Sequence, residues 1–129
     1  MERGRDLQRR MCQASEEYFN SRDPVFDSPQ EAEESMNSFL EWYSYERDVP
    51  GRGKTPAQLY LDRHDSLPDL PKFRLPREIH DAGADFQVGI VFDEEWSIFI
   101  LAHYDEVKEI FKGNYVKVSD HEELLRALV

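Results

Sequence analysis

The chain has 129 residues, 40 % hydrophobic and 12 % aromatic, enough apolar material for one buried core and too much for a disordered segment. Sixteen Lys and Arg against 27 Asp and Glu leave a net charge of −11. That sign argues against a general binder of nucleic acid or of anionic membranes, both of which call for a cationic surface.

Cys12 is the single cysteine, which excludes an internal disulfide and a Cys-rich zinc site. The opening Met1-Glu2-Arg3-Gly4-Arg5-Asp6 leads into mixed polar residues, so no signal peptide is expected. The longest apolar run, Ile98 to Ala102, falls far short of the roughly 20 residues of a membrane helix. These features lead to the expectation of a cytoplasmic chain with no membrane contact.

In chain order, Leu7, Met11, Ala14 and Tyr18 recur at three- and four-residue spacing and predict an amphipathic helix from Asp6 to Phe19 with those residues inward. Breakers follow from Asn20 to Pro24. Ser28-Pro29-Gln30-Glu31 reads as a helix start, with Ser28 as N-cap, Pro29 in the first turn and Glu31 completing a capping box. The inward face of this second helix would carry Ala32, Met36, Phe39, Leu40 and Tyr43, with its end near Arg47. Thr55-Pro56-Ala57-Gln58 repeats the start signal and predicts a short helix to about His64. Pro68, Pro71 and Pro76 make 66–77 an extended connector, with Leu67, Leu70, Phe73 and Leu75 packing along the body.

Beyond the connector the period changes to two. Phe86, Val88, Ile90 and Phe92 alternate with other residues, and Trp96 to His103 is apolar on both faces, as in a covered strand. An antiparallel hairpin joins them most simply, with Asp93-Glu94-Glu95 as its tip. A helix from Tyr104 to Lys112, a strand from Tyr115 to Val118 and a final helix capped at Ser119 complete the chain. The expected class is α+β: N-terminal helices, then a small three-stranded sheet with two C-terminal helices. All of 1–129 reads as one domain, divided into a helical region (residues 1–65), the connector (66–77) and a hairpin-containing region (78–129).

Charge is segmented along this frame. Residues 23–50 carry a net −7 and 78–129 a net −8, while 51–77 carry +3. A basic island of Arg52, Lys54, Arg63, Lys72, Arg74 and Arg77 thus lies between two acidic blocks.

Motifs for catalysis are missing. Gly51-Arg52-Gly53-Lys54-Thr55 evokes a phosphate loop, but the position that needs the first glycine is Asp48, and Pro56 interrupts the run of amide donors. A glycine turn joining two helices accounts for the string more simply. His64, His80, His103 and His121 show no helical metal-ligand pairing, so neither a metal nor any other cofactor is called for. Ser97 lacks a nucleophile elbow, and the balance leans away from an enzyme.

Two surfaces stand out instead. The aromatics Phe39, Trp42, Tyr43, Tyr45 and Tyr60 span more than one helical stripe, which makes Trp42 and Tyr45 candidates for contact with a partner. The plainer alternative buries them all. Arg52 and Lys54 head the basic island and are the second pair of candidate binding residues; the plainer alternative pairs the island with the acidic helices beside it.

The segment from Phe39 to Leu61, with Phe39, Trp42, Tyr43 and Tyr45, then Gly53-Lys54-Thr55, then Leu59-Tyr60-Leu61, resembles a segment of bacterial proteins of unassigned function, some of which carry a SEC-C zinc motif. It covers 23 of the 129 residues, and the cysteines of that zinc motif are absent here. The resemblance implies a helix–turn–helix-shaped unit in a bacterial protein; it implies no activity and no zinc. The expected function is binding, to another protein or to a second copy. Alternatives are an acidic nucleic-acid mimic or accessory factor, with direct nucleic-acid binding disfavoured, and an enzyme with a scattered Asp/Glu/His pocket.

Overall fold

The computed structural model describes residues 2–70, 72–75, 77–81, 87–92, 97–102 and 115–117, the side chains of 2–8, 78, 91, 97–102 and 115–117 excepted. Helix α1 (Glu2–Phe19) leads through a turn to strand β1 (Val25–Phe26), followed by α2 (Pro29–Tyr45), α3 (Pro56–Leu61) and α4 (Arg77–Asp81). Strands β2 (Val88–Phe92), β3 (Ser97–Ala102) and β4 (Tyr115–Lys117) come last. Asn20 ends α1 in the left-handed region at φ +59°, where an asparagine is tolerated after a helix.

Both capped starts form, with one difference. Ser28 Oγ accepts from the Glu31 amide, but the Glu31 carboxylate reaches past the cap to the Asp27 amide at 3.3 Å. At α3 the box closes as expected, with Thr55 Oγ1 taking the Gln58 amide and Gln58 Oε1 taking the Thr55 amide. Amide donors that a helix start leaves without intrahelical partners are satisfied in this way.

The sheet corrects the expected fold class. In place of a three-stranded sheet with two C-terminal helices, the described residues form four helices, all preceding β2, and an antiparallel sheet in the order β1-β2-β3-β4. This is a mixed, mostly helical arrangement, and the β1–β2 pair is the portion of its sheet described to the side chains. The first strand comes from the helical half of the chain, with Val25 opposite Gly89 and Phe26 opposite Val88. Two residues are too few to display a period of two, so β1 leaves no alternation to read. Pro24, which reads as a breaker, in fact extends the ladder. It lacks an amide donor, but its carbonyl accepts from the Ile90 amide at 3.0 Å. Helix α4 is likewise absent from the expected elements; its five residues are too short for helical periodicity. The stretches 104–112 and 119–128, expected as helices, lie outside the described residues, as do the acidic hairpin tip, His103 and His121.

One apolar cluster forms the core of the described residues. It joins Met11 and Ala14 of α1, Phe26 of β1, Met36, Phe39, Leu40 and Tyr43 of α2, Phe73 and Leu75 of the connector, Ile79 of α4, and Val88, Ile90 and Phe92 of β2. Phe39 is its centre: its ring lies 5.5–6.3 Å from those of Tyr18, Phe19, Trp42, Tyr43 and Phe92. Such tilted and edge-on packings add to the area each ring buries.

Side chains of α2 clamp the connector onto this core. Asn37 behaves as a strand partner, donating Nδ2–H to the Phe73 carbonyl (3.1 Å) and accepting the Phe73 amide at Oδ1 (2.7 Å). Glu33 Oε2 accepts the Leu75 amide at 2.7 Å and lies 2.6 Å from His80 Nε2. The Phe73 amide and carbonyl and the Leu75 amide are thereby satisfied while Phe73 and Leu75 go inward. Replacing Phe39 by Ala should cost about 3–5 kcal/mol, measured by urea unfolding, because neighbours from α1, α2 and β2 cannot all collapse into the void. A loss below about 1 kcal/mol would show that the ring is not the hub.

Candidate functional site

An open groove of about 510 Å³ lies between the last turn of α1, the β1 segment and the first half of α2. Tyr18 and Phe19 form one wall, Pro24, Val25 and Phe26 a second, and Glu31, Glu34, Ser35 and Ser38 the third. The helical spacing places Tyr18 on the inward face of α1. The structure divides that role: Tyr18 still meets Phe39 at 5.7 Å, but Phe19 lies deeper, its ring meeting both Phe39 (5.5 Å) and Phe26 (5.7 Å). Tyr18 is displaced to the rim, 38 % exposed, with its ring edge-on to Phe19 at 4.9 Å and tilted against Trp42 at 5.1 Å. Val25 is 51 % exposed.

The backbone of β1 also faces outward. Antiparallel ladders alternate residues that bond the neighbouring strand with residues that do not. Because Pro24 accepts from Ile90, the residue after it, Val25, directs its N–H and C=O away from β2. Among the described residues β2 is the one strand paired with β1, so these groups belong to a free sheet edge.

Electrostatically the groove has one sign. Glu34 accepts from Gln30 Nε2 at 3.1 Å and Glu31 from the Asp27 amide, and among the described residues no cation pairs with either carboxylate. Nor does any described Lys, Arg or His line the groove. Asp27 and Glu41 are exposed as well.

The four sequence-based candidates divide. At 100° per residue, Trp42 and Tyr45 fall on the same face of α2 as Glu31, Glu34, Ser35 and Ser38, opposite the face that carries Met36, Leu40 and Tyr43. They prolong the α2 wall. Trp42 is half-buried, and Tyr45 is 40 % exposed. Arg52 and Lys54 stand apart, and among the described residues no hydrogen bond, ion pair or ring contact links them to either aromatic. The Arg52 amide donates to the Val49 carbonyl (3.0 Å) around Pro50 and Gly51, the latter at φ +80°, which is a type II turn. The Val49 amide donates in turn to the Lys54 carbonyl at 2.8 Å. These inward donors do not form an anion cradle, and the Lys54 ammonium lies 2.8 Å from Asp62. Two members of the basic island pair locally, Lys54 with Asp62 and Arg77 with Asp81, and among the described residues no ion pair joins the island to the acidic face of α2.

Beside Trp42, Arg47 locks the two long helices together. Its side chain is 9 % exposed, and the guanidinium donates twice to the Glu17 carboxylate, at 3.1 and 2.8 Å, and lies about 6 Å from the ring centres of Trp42 and Tyr43. Those hydrogen bonds hold the Glu17 carboxyl below its usual range. Burial pushes the Tyr43 phenol up to about 12, against the opposing pull of Arg47 and Arg10.

Among the described residues no group of three His, Cys, Asp or Glu side chains is placed to hold a metal ion, and no helix is long and apolar enough to cross a membrane. Comparison with protein-family models, curated proteins and solved structures finds no match to this chain. The groove itself escapes sequence reasoning, since it needs a strand of two residues and a tyrosine that packs at the rim of the core with part of its ring exposed. Adjacent Tyr18-Phe19 just before the breakers is the available signal, because one helix face cannot bury both.

Tyr43 gives a pH test of this packing. Its folded value lies above the ordinary value near 10, so the stability contributed by the neutral phenol is complete below pH 10 and is lost as pH rises through about 12. Unfolding free energy should fall across that window by about 2–3 kcal/mol more in the wild type than in Tyr43→Phe, measured by denaturant titration. Equal pH profiles would show that the phenol is not buried.

Proposed function

We propose that this protein is a binding module that holds a segment of another protein in the groove between α1, β1 and α2, with Trp42 and Tyr45 extending the contact surface along α2. The observation that carries the reading is a concave surface combining exposed Tyr18 and Val25 with carboxylates that have no cationic partner among the described residues. Exposed aromatic anchors beside ordered charge are what partner surfaces use for affinity and specificity respectively. A surface imitating a phosphate backbone would present carboxylates alone. Here the apolar Tyr18 and Val25 share the groove with them, which favours a protein ligand. Glu33 holds the Leu75 amide of the connector and meets His80 of α4, so this acid–histidine contact has a structural account.

Photo-cross-linking distinguishes this groove from the basic turn. A photoreactive phenylalanine analogue at Val25 should give a discrete adduct with a partner in native lysate, and the same analogue at Arg52 should give none. Adducts at Arg52 alone would transfer the function to the basic turn and overturn the groove.

A further inference from the structure

Resting on the reading of the groove as a protein-binding site, we infer that its occupant is an extended, cationic peptide segment that adds to the free edge of β1 as a further strand. Three observations meet at this place. The Val25 N–H and C=O point away from β2, one donor and one acceptor spaced for an incoming strand. The Val25 side chain and the Tyr18 ring, both exposed, offer apolar contact beside that edge. Across the groove stand Glu31 and Glu34, neighbours on α2 three residues apart, with no cation on either among the described residues.

Spacing and charge select the occupant. Alternate residues of an extended chain lie about 7 Å apart on one side, close to the separation of adjacent helix-surface positions. A segment with Lys or Arg at positions i and i+2 can therefore meet both carboxylates while its backbone pairs with Val25. A second copy of this chain is disfavoured, since pairing two β1 edges would bring Glu31 and Glu34 towards their counterparts in a molecule of net charge −11. An acidic segment meets the same repulsion. β1 is two residues long, so it supplies few backbone bonds, and the side chains must carry most of the selectivity.

A displayed library of random octapeptides, panned against the full chain, tests this directly. The inference expects enrichment of Lys or Arg at alternate positions around an aliphatic or aromatic residue. Synthetic versions of the enriched peptides should then bind, by fluorescence anisotropy, about fivefold to tenfold more weakly when the pairing amide is N-methylated, the loss expected for one main-chain hydrogen bond. Val25→Pro should weaken binding similarly, because it deletes an amide that β2 does not use. Circular dichroism reports whether that variant folds, and the N-methyl scan decides the matter if it does not. Glu31→Gln with Glu34→Gln should weaken binding and flatten its salt dependence. Enrichment of acidic peptides, enrichment of nothing, or indifference to every N-methyl position overturns strand addition. If cross-linking at position 25 persists alongside such a result, the groove keeps its role and only this occupant is removed. If both fail, so does the binding-module reading.

Discussion

The packing of α1, α2 and β2 is arranged around the ring of Phe39. It receives α1 through Phe19, holds the C-terminal half of α2 through Trp42 and Tyr43, and meets the sheet through Phe92. Close-packed interiors leave no slack for a second ring at the same place. Phe19 packs between Phe39 and Phe26, while Tyr18, its immediate neighbour, touches Phe39 from the rim at 5.7 Å and keeps part of its ring exposed. The exposed wall of the groove is in this sense continuous with the core.

Polar groups then fix what the rings position. Asn37 and Glu33 bind the connector's backbone, which lets Phe73 and Leu75 enter the core without leaving amides unpaired. Arg47 bridges α2 to Glu17 on α1 and sits near the faces of Trp42 and Tyr43. Paired carboxylates such as Glu17 and Glu33 have structural employment. Among the described residues Glu31 and Glu34 bond only neutral donors, and they are the ones facing the groove. On α2 itself, Glu33, which ties down the connector, is thus set apart from Glu31 and Glu34, which line the groove.

Helix starts are readable from local chemistry. Ser28-Pro29 and Thr55-Pro56 act within one turn of chain, so the residues that specify the cap also form it. The inward residues Ala32, Met36, Phe39, Leu40 and Tyr43 are legible for a similar reason, since a 17-residue helix displays its period several times. β1 and α4 are not, because two and five residues cannot show a repeat, and their conformations are set by β2 and α2 across long stretches of chain. For the candidate site, Trp42 and Tyr45 are visible as surplus aromatics on α2 and share a helix face with Glu31 and Glu34, but the approach of Tyr18 and β1 to that face depends on tertiary packing. Arg52 and Lys54 draw notice through glycines that serve a turn.

On the reading proposed, the free edge of β1 and the adjoining face of α2 form the surface that meets a partner. Amide hydrogen exchange, read by mass spectrometry on the free protein and on the complex recovered from native lysate, tests it most directly. The Val25 amide, directed away from β2, should exchange quickly in the free protein and become protected in the complex, together with amides of the last turn of α1. Protection confined to the turn at 49–55, with 18–26 unchanged, would contradict the claim.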